Sequence, residues 1–178
     1  MKFSLYVDTS LLGLSVALVK DEATSDRIVW SQYIAKKDAA AAMLPVLYEE
    51  ALKSRPGLEK DSISSVVISN GPGSFTGIRI GLAWSYGLSS QSQIKVCGLS
   101  SLEALTWSFA EKSSEKKEKL KAIFLPGTAY QGFLCYFQNS GSMEIISIDL
   151  KKIGSSEEDL LRSLDVLFVE PSSPWKKF

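Results

Sequence analysis

The chain has no histidine in 178 residues, and this absence excludes more chemistry than any motif supplies. A Ser-His-Asp or Cys-His site, an H-E-x-x-H zinc site and a histidine general base all need an imidazole that this chain lacks. Cysteine is scarce as well. Cys97 and Cys135 are too few for a disulfide framework. Each lies in an apolar stretch, Lys95-Val96-Cys97-Gly98-Leu99 and Phe133-Leu134-Cys135-Tyr136-Phe137, so both are expected to be inert core thiols. Charge of one sign is missing: twenty basic residues balance twenty acidic ones, which leaves no overall field to draw in nucleic acid or an anionic membrane. No apolar run approaches the ~20 residues of a membrane span. The start, Met1-Lys2-Phe3-Ser4-Leu5-Tyr6-Val7-Asp8, lacks the layout of a signal peptide. A cytoplasmic protein without membrane contact is expected. What remains is 45% hydrophobic and 22% charged, the composition of a soluble globular protein, long enough for one domain or two small lobes.

Against these absences one segment stands out, Asn70-Gly71-Pro72-Gly73-Ser74-Phe75-Thr76-Gly77-Ile78-Arg79-Ile80-Gly81. It joins a short β-branched run, Ser65-Val66-Val67-Ile68-Ser69, to a helix predicted from about Gly77 to Ser89. Gly71, Gly73 and Gly77 permit a sharp turn or a close approach. Ser74 and Thr76 are N-cap candidates at a helix end that favours an anion. The spacing G-x-G-x-x-x-G is one residue too long for the dinucleotide fingerprint, and no Gly-Lys-Ser/Thr follows as a P-loop requires. Two readings stay open on spacing alone: a phosphate cradle, or a turn whose glycines serve packing. Asp8, Thr9 and Ser10 at the end of the first strand pose the same choice. They offer a carboxylate for a hydrated metal and hydroxyls for phosphate, or they close a hairpin through side-chain-to-backbone hydrogen bonds.

The rest of the chain supplies the frame. Strands are predicted at 3–10, 13–19 and 27–34, then a helix over 38–52 with Asp38 as N-cap and a bend before Pro45. Its apolar stripe is Met43, Leu44, Leu47 and Ala51, with Val46 and Tyr48 off the stripe. A strand at 94–97 and a helix from Ser100 to about Lys112 complete a first lobe, residues 1–110. The helix after the glycine turn is apolar on too many sides for one stripe: Ile78, Ile80, Leu82, Ala83, Trp84, Tyr86 and Leu88 spread around it. A second buried face is implied, meeting either the other lobe or another protein, and Gly77, Gly81 and Ser85 would let a neighbouring helix come close. The alternating charges of 111–119 read as a solvated connection. Strands at 121–125, 132–137, 143–148 and 166–169, with a helix at 156–163, then form a second lobe, residues 111–178. Its three-strands-then-helix order repeats the first, so a duplicated two-lobed α/β fold is expected.

Four elements together carry a family resemblance: Asp8-Thr9-Ser10, Met43-Leu44-Pro45, the glycine segment from Gly71 to Gly81, and Gly98-Leu99-Ser100-Ser101-Leu102-Glu103-Ala104-Leu105. In order and spacing, over roughly residues 3 to 105, the chain resembles the TsaB (YeaZ) family of bacterial tRNA threonylcarbamoyladenosine biosynthesis proteins. The resemblance implies an actin/Hsp70-like (ASKHA, ribonuclease H-like) fold. It also implies a non-catalytic subunit that pairs through its first two helices with the homologous catalytic subunit TsaD, with TsaE joining the pair. That complex transfers threonylcarbamoyl to N6 of the tRNA adenosine beside the anticodon. A homodimer in isolation, tRNA reached only through the complex, and no cofactor, metal ligand or catalytic residue follow from the same resemblance. The expected partner interface is Leu44, Leu47, Tyr48, Gly77, Ile80, Gly81 and Trp84. Asp8, Thr9, Ser10, Gly71, Gly73, Ser74 and Thr76 form a vestigial phosphate-binding set. Three departures bear on that set: alanines precede Met43 where the family often has histidine, Leu125-Pro126-Gly127-Thr128-Ala129-Tyr130 replaces an Asp-Ala-Arg-like segment, and the second lobe is short. The glycoprotease label attached to some relatives does not carry over to a chain without histidine. The alternatives are a stand-alone Mg-nucleotide kinase or ATPase using Asp8, and a diverged paralogue that keeps only the dimer surface.

Overall fold

Alternation along Phe3-Ser4-Leu5-Tyr6-Val7-Asp8 puts Phe3, Leu5 and Val7 on one face of a strand and Ser4, Tyr6 and Asp8 on the other. A computed structural model of the chain describes residues 1–11, 13–22, 27–36, 39–114, 122–128, 131–137, 143–149 and 166–168. It makes this strand, β1 (Phe3–Asp8), the middle of a five-stranded sheet. β2 (Leu14–Lys20) pairs antiparallel with β1, and β3 (Ile28–Ile34) pairs antiparallel with β2. β4 (Ile63–Ser69) and β5 (Lys95–Leu99) add in parallel on the other side, giving the order β3-β2-β1-β4-β5. Parallel neighbours need crossover connections, and two helices supply them: α1 (Ala39–Lys53) leads into β4 and α2 (Phe75–Ser90) into β5.

Register builds the core. Leu5 lies opposite Leu18 on one side and Val66 on the other, and Val7 lies between Val16 and Ile68. All six are buried beneath the helices. α1 runs on through Pro45 and covers them with Leu44, Leu47, Tyr48 and Ala51, three or four residues apart on one helix face. Each fully buried aliphatic side chain contributes about 1.5–3 kcal/mol of transfer free energy. α2 starts at Phe75, two residues earlier than the glycine spacing predicts, because Ser74 caps it.

At the β1 end where the chain enters the sheet, the polar face carries a cluster around Asp21. The hydroxyl of Ser4 donates to Asp21 Oδ1 at 2.6 Å and that of Ser64 to Oδ2 at 2.5 Å. Ser4 and Ser65 also share a hydrogen bond of 2.7 Å. One carboxylate thus ties the ends of β1, β2 and β4 together.

The chain divides into two compact units, Met1–Leu99 and Ser100–Phe178. The second contains α3 (Ser101–Ser114), β6 (Ala122–Thr128), β7 (Gln131–Phe137), β8 (Met143–Asp149) and β9 (Val166–Phe168). β6, β7 and β8 form an antiparallel meander and β9 joins β6 in parallel, in the order β8-β7-β6-β9. This repeats the β3-β2-β1-β4 arrangement of the first sheet, in line with the duplication expected from the order of elements. The division falls at 99/100 and not at 110/111, because α3 packs against β6, β7 and β8 of its own unit. The predicted Asp38 cap, the helix at 156–163 and most of the charged connection lie outside the described residues.

The two cysteines part company. Cys135 is buried, as expected, and burial pushes its thiol up, with a hydrogen bond to Thr106 acting the other way. Cys97 is exposed, which corrects the expectation of a core thiol. It lies on an edge strand and pairs in register with Val67, on the sheet face away from Val66 and Ile68. A disulfide reagent should therefore label one thiol per folded chain within minutes and the second only in denaturant; a thiol count with and without guanidinium checks this.

Candidate functional site

The tip of β1 and the start of α2 are built around missing side chains. Gly71, at φ 98°, reverses the chain after β4 in a conformation that other residues rarely adopt. A β-carbon on Gly73 would collide with the Ser10 carbonyl, one on Gly77 with the Thr9 carbonyl, and one on Gly81 with the Thr9 hydroxyl and with Ile68 Cδ1 at 2.8 Å. The backbone of Thr9 and Ser10 therefore lies directly on the turn and the first turn of α2, and the Thr9 side chain lies on the second.

Hydrogen bonds fix this contact. Ser10 N and Ser10 Oγ donate to Asp8 Oδ1 at 2.8 and 2.7 Å, and Ser69 Oγ donates to the same oxygen at 2.7 Å. Ser69 Oγ in turn accepts from Thr9 N at 3.3 Å. Ser74 N donates to the Ser10 carbonyl at 2.5 Å. Ser74 then caps α2: its hydroxyl accepts from Gly77 N at 3.2 Å and its carbonyl from Ile78 N at 2.9 Å. Thr76 is exposed and is not the cap. Of the expected phosphate-binding set, Asp8, Ser10 and Ser74 are thus brought together and bonded in a chain, with Thr9 joined to it through Ser69. Of the two readings left open by spacing, the packing turn accounts for Gly73, Gly77 and the cap of Ser74.

This seating decides which side of α2 faces outward. Gly77, Gly81 and Ser85 are the buried residues of α2, and they face the sheet. The large residues are left on the flanks and the outside. Phe75 is 73% exposed, with the Arg79 guanidinium 5.2 Å from its ring centre, and Tyr86 is 62% exposed. Ala83 and Gly87 are exposed, and Ile80 and Trp84 are half-buried. α1 packs beside α2 and exposes Ala42, Pro45 and Val46.

The expected partner interface is corrected accordingly. Leu44, Leu47, Tyr48, Gly77 and Gly81 lie inside the first unit, where they hold the helices to the sheet and to each other. Ile80 and Trp84 keep surface. Trp84 stands edge-on to Tyr48, with ring centres 5.5 Å apart at 73°. Phe75, Ala83 and Tyr86, which the expected interface does not include, are exposed. Their signal was the helical spacing that sets them opposite the small residues. Among the described residues, the hydroxyls of Thr9, Tyr48 and Ser85 are buried without a hydrogen-bond partner. Burial pushes the Tyr48 phenol up, and the Glu49 carboxylate adds to the effect.

The family model for TsaD, tRNA N6-adenosine threonylcarbamoyltransferase, matches residues 30–123. A tRNA threonylcarbamoyladenosine biosynthesis protein TsaB from Buchnera aphidicola is 29% identical over 97% of this chain and 79% of that protein. The protein of the same description from Bacillus subtilis is 31% identical over 57% of this chain, and the match spans 42% of its length. Among solved structures, YeaZ from Pseudomonas aeruginosa superposes with a TM-score of 0.64 at 24% identity, covering 84% of this chain and 68% of that one. The fold is the α/β actin-like fold.

Two stability effects follow. Gly77→Ala should cost at least ~3 kcal/mol, because its β-carbon meets backbone. Gly87→Ala, also within α2 but with open space around it, should add ~0.5–1 kcal/mol; urea denaturation of the two variants checks the pair. For Tyr48, a raised phenol pKa in the fold means that stability is complete below the ordinary value of 10.0 and falls as pH rises beyond it, where only the unfolded chain ionises. Tyr48→Phe should flatten that alkaline loss and, by removing an unpartnered hydroxyl, raise stability at neutral pH by ~1 kcal/mol; melts at pH 7 and above 10 test both.

Proposed function

Because the chain belongs to the TsaD family, that of tRNA N6-adenosine threonylcarbamoyltransferase, and its work lies in tRNA threonylcarbamoyladenosine biosynthesis, we propose that it is a non-catalytic assembly subunit. In this role it pairs with a TsaD-type catalytic subunit across the outer side of α1 and α2. One observation carries the reading: α2 turns its small residues into the sheet and leaves Phe75, Ile80, Ala83, Trp84 and Tyr86 with surface. Apolar and aromatic side chains gathered on adjacent helices, with few charges among them, suit a protein partner. Pro45 and Val46 of α1, the helix packed beside α2, are exposed as well. In isolation the surface closes a homodimer. A TsaE-type ATPase joins the pair, tRNA is reached through the complex, and the complex works in the cytoplasm.

The division of labour has a chemical basis. A chain without histidine has no imidazole to bind a metal or move a proton near neutral pH. The carboxylate best placed for such work, Asp8, accepts three hydrogen bonds from Ser10 and Ser69. The nucleotide-enzyme alternative would instead need Asp8 free to meet a hydrated cation.

The test is reconstitution. The purified chain should form a complex with a TsaD-type subunit and raise its tRNA modification activity, and the double variant Ile80→Asp, Ala83→Arg should weaken association at least tenfold while keeping the far-ultraviolet circular dichroism of the parent. Unaltered activity with no complex would remove the proposed role. Calorimetric titration of the isolated chain with Mg-ATP should give no strong binding; tight binding abolished by Asp8→Ala would establish the alternative.

A further inference from the structure

β1 carries an aspartate-serine cluster near each end, and the two do different things. At one end Asp21 holds Ser4 and Ser64, and among the described residues no hydrogen bond leads from there to α1 or α2. At the other end the bonds run on without a break. Asp8 Oδ1 takes both the amide and the hydroxyl of Ser10, which leaves the Ser10 backbone one placement. The Ser10 carbonyl then takes Ser74 N, and Ser74 caps Gly77 and Ile78 of α2. Gly73, Gly77 and Gly81 remove the side chains that would hold the two segments apart.

We infer that Asp8 is a positioning residue for α2: by fixing Ser10 it sets where the first turn of this helix lies on the sheet, and hence how the Phe75 and Ile80 side of the helix is presented. Resting on the partner role proposed above, this makes Asp8 a determinant of association although it lies away from the outer helix face. Its function is as an acceptor of three hydrogen bonds, with no metal or phosphate involved. A neutral amide oxygen at the same place offers two lone pairs to the same donors. The charge is therefore dispensable and the acceptor is not.

The experiment compares Asp8→Ala, Asp8→Asn and Asp21→Ala in the full chain. It reads amide hydrogen exchange at Ser74, Gly77 and Ile78, the melting temperature, and association with a TsaD-type subunit by sedimentation. Asp8→Ala should lose protection at the three amides and weaken association tenfold or more, and Asp8→Asn should retain both. Asp21→Ala should melt earlier, yet keep the exchange at those amides and the association of the parent. Should Asp8→Ala fail to fold, Ser10→Ala, which removes one of the three donors, should show the same losses to a smaller degree.

Unchanged exchange at Ser74, Gly77 and Ile78 in Asp8→Ala would overturn the positioning role. So would Asp8→Asn behaving like Asp8→Ala, or Asp21→Ala weakening association as much as Asp8→Ala. Altered exchange with unaltered association would overturn the link from helix placement to the partner. If the parent chain itself does not associate, the partner role fails, and the exchange measurements alone decide whether Asp8 places the helix.

Discussion

The contact between the tip of β1 and the amino-terminal half of α2 is the constraint on which the rest of the first unit depends. Thr9 and Ser10 press their carbonyls, and Thr9 its side chain as well, against the helix, and Gly73, Gly77 and Gly81 present no side chain in return. Two segments separated by more than sixty residues in sequence are thereby brought to the distance of a backbone hydrogen bond, from Ser74 N to the Ser10 carbonyl. The approach sets the depth of α2 on β4, since the same helix face meets Ile68. It also sets the rotation of α2 about its own axis, which decides what is inside and what is outside.

Viewed this way, the two halves of the sheet differ in what holds them. β1, β2 and β3 are joined by antiparallel pairing, and β1 and β2 share an alternating apolar face, so local sequence goes far to place them. β4 and β5 reach the sheet only through crossover helices, and their placement depends on how those helices seat. α1 seats through Leu44, Leu47 and Ala51, by ordinary hydrophobic burial. α2 seats through the small residues Gly77, Gly81 and Ser85, with Leu82, Trp84 and Leu88 packed against the core beside them.

Much of this could be read in advance. The strands of both sheets followed from alternation and β-branched runs, α1 from its stripe, and the family from the glycine segment, whose order and spacing are specific. The site was less legible, for a physical reason. Periodicity reports which residues share a helix face but not which face is inward, and the usual assumption that the bulky side is buried fails for α2. Gly77 and Gly81 were therefore expected at a partner and are found against Thr9. Leu44 and Leu47 were expected at the same partner and belong to the core beneath α1. Cys97 misled in the same way: its apolar neighbours are genuine, but it lies on an edge strand, on the face away from the core. The serines around Asp21 left no trace in the sequence, because Ser4, Asp21 and Ser64 are drawn together only by the pairing of three strands.

Because α2 turns its small residues toward the sheet and leaves Phe75, Ala83 and Tyr86 exposed, the seat of the helix and its outer side draw on separate sets of positions along a single helix. Substitutions at 75, 80, 83 and 86 can accumulate without disturbing the seat at 77, 81 and 85. Two copies of such a chain, once duplicated, could drift toward different partners while every intermediate still folded.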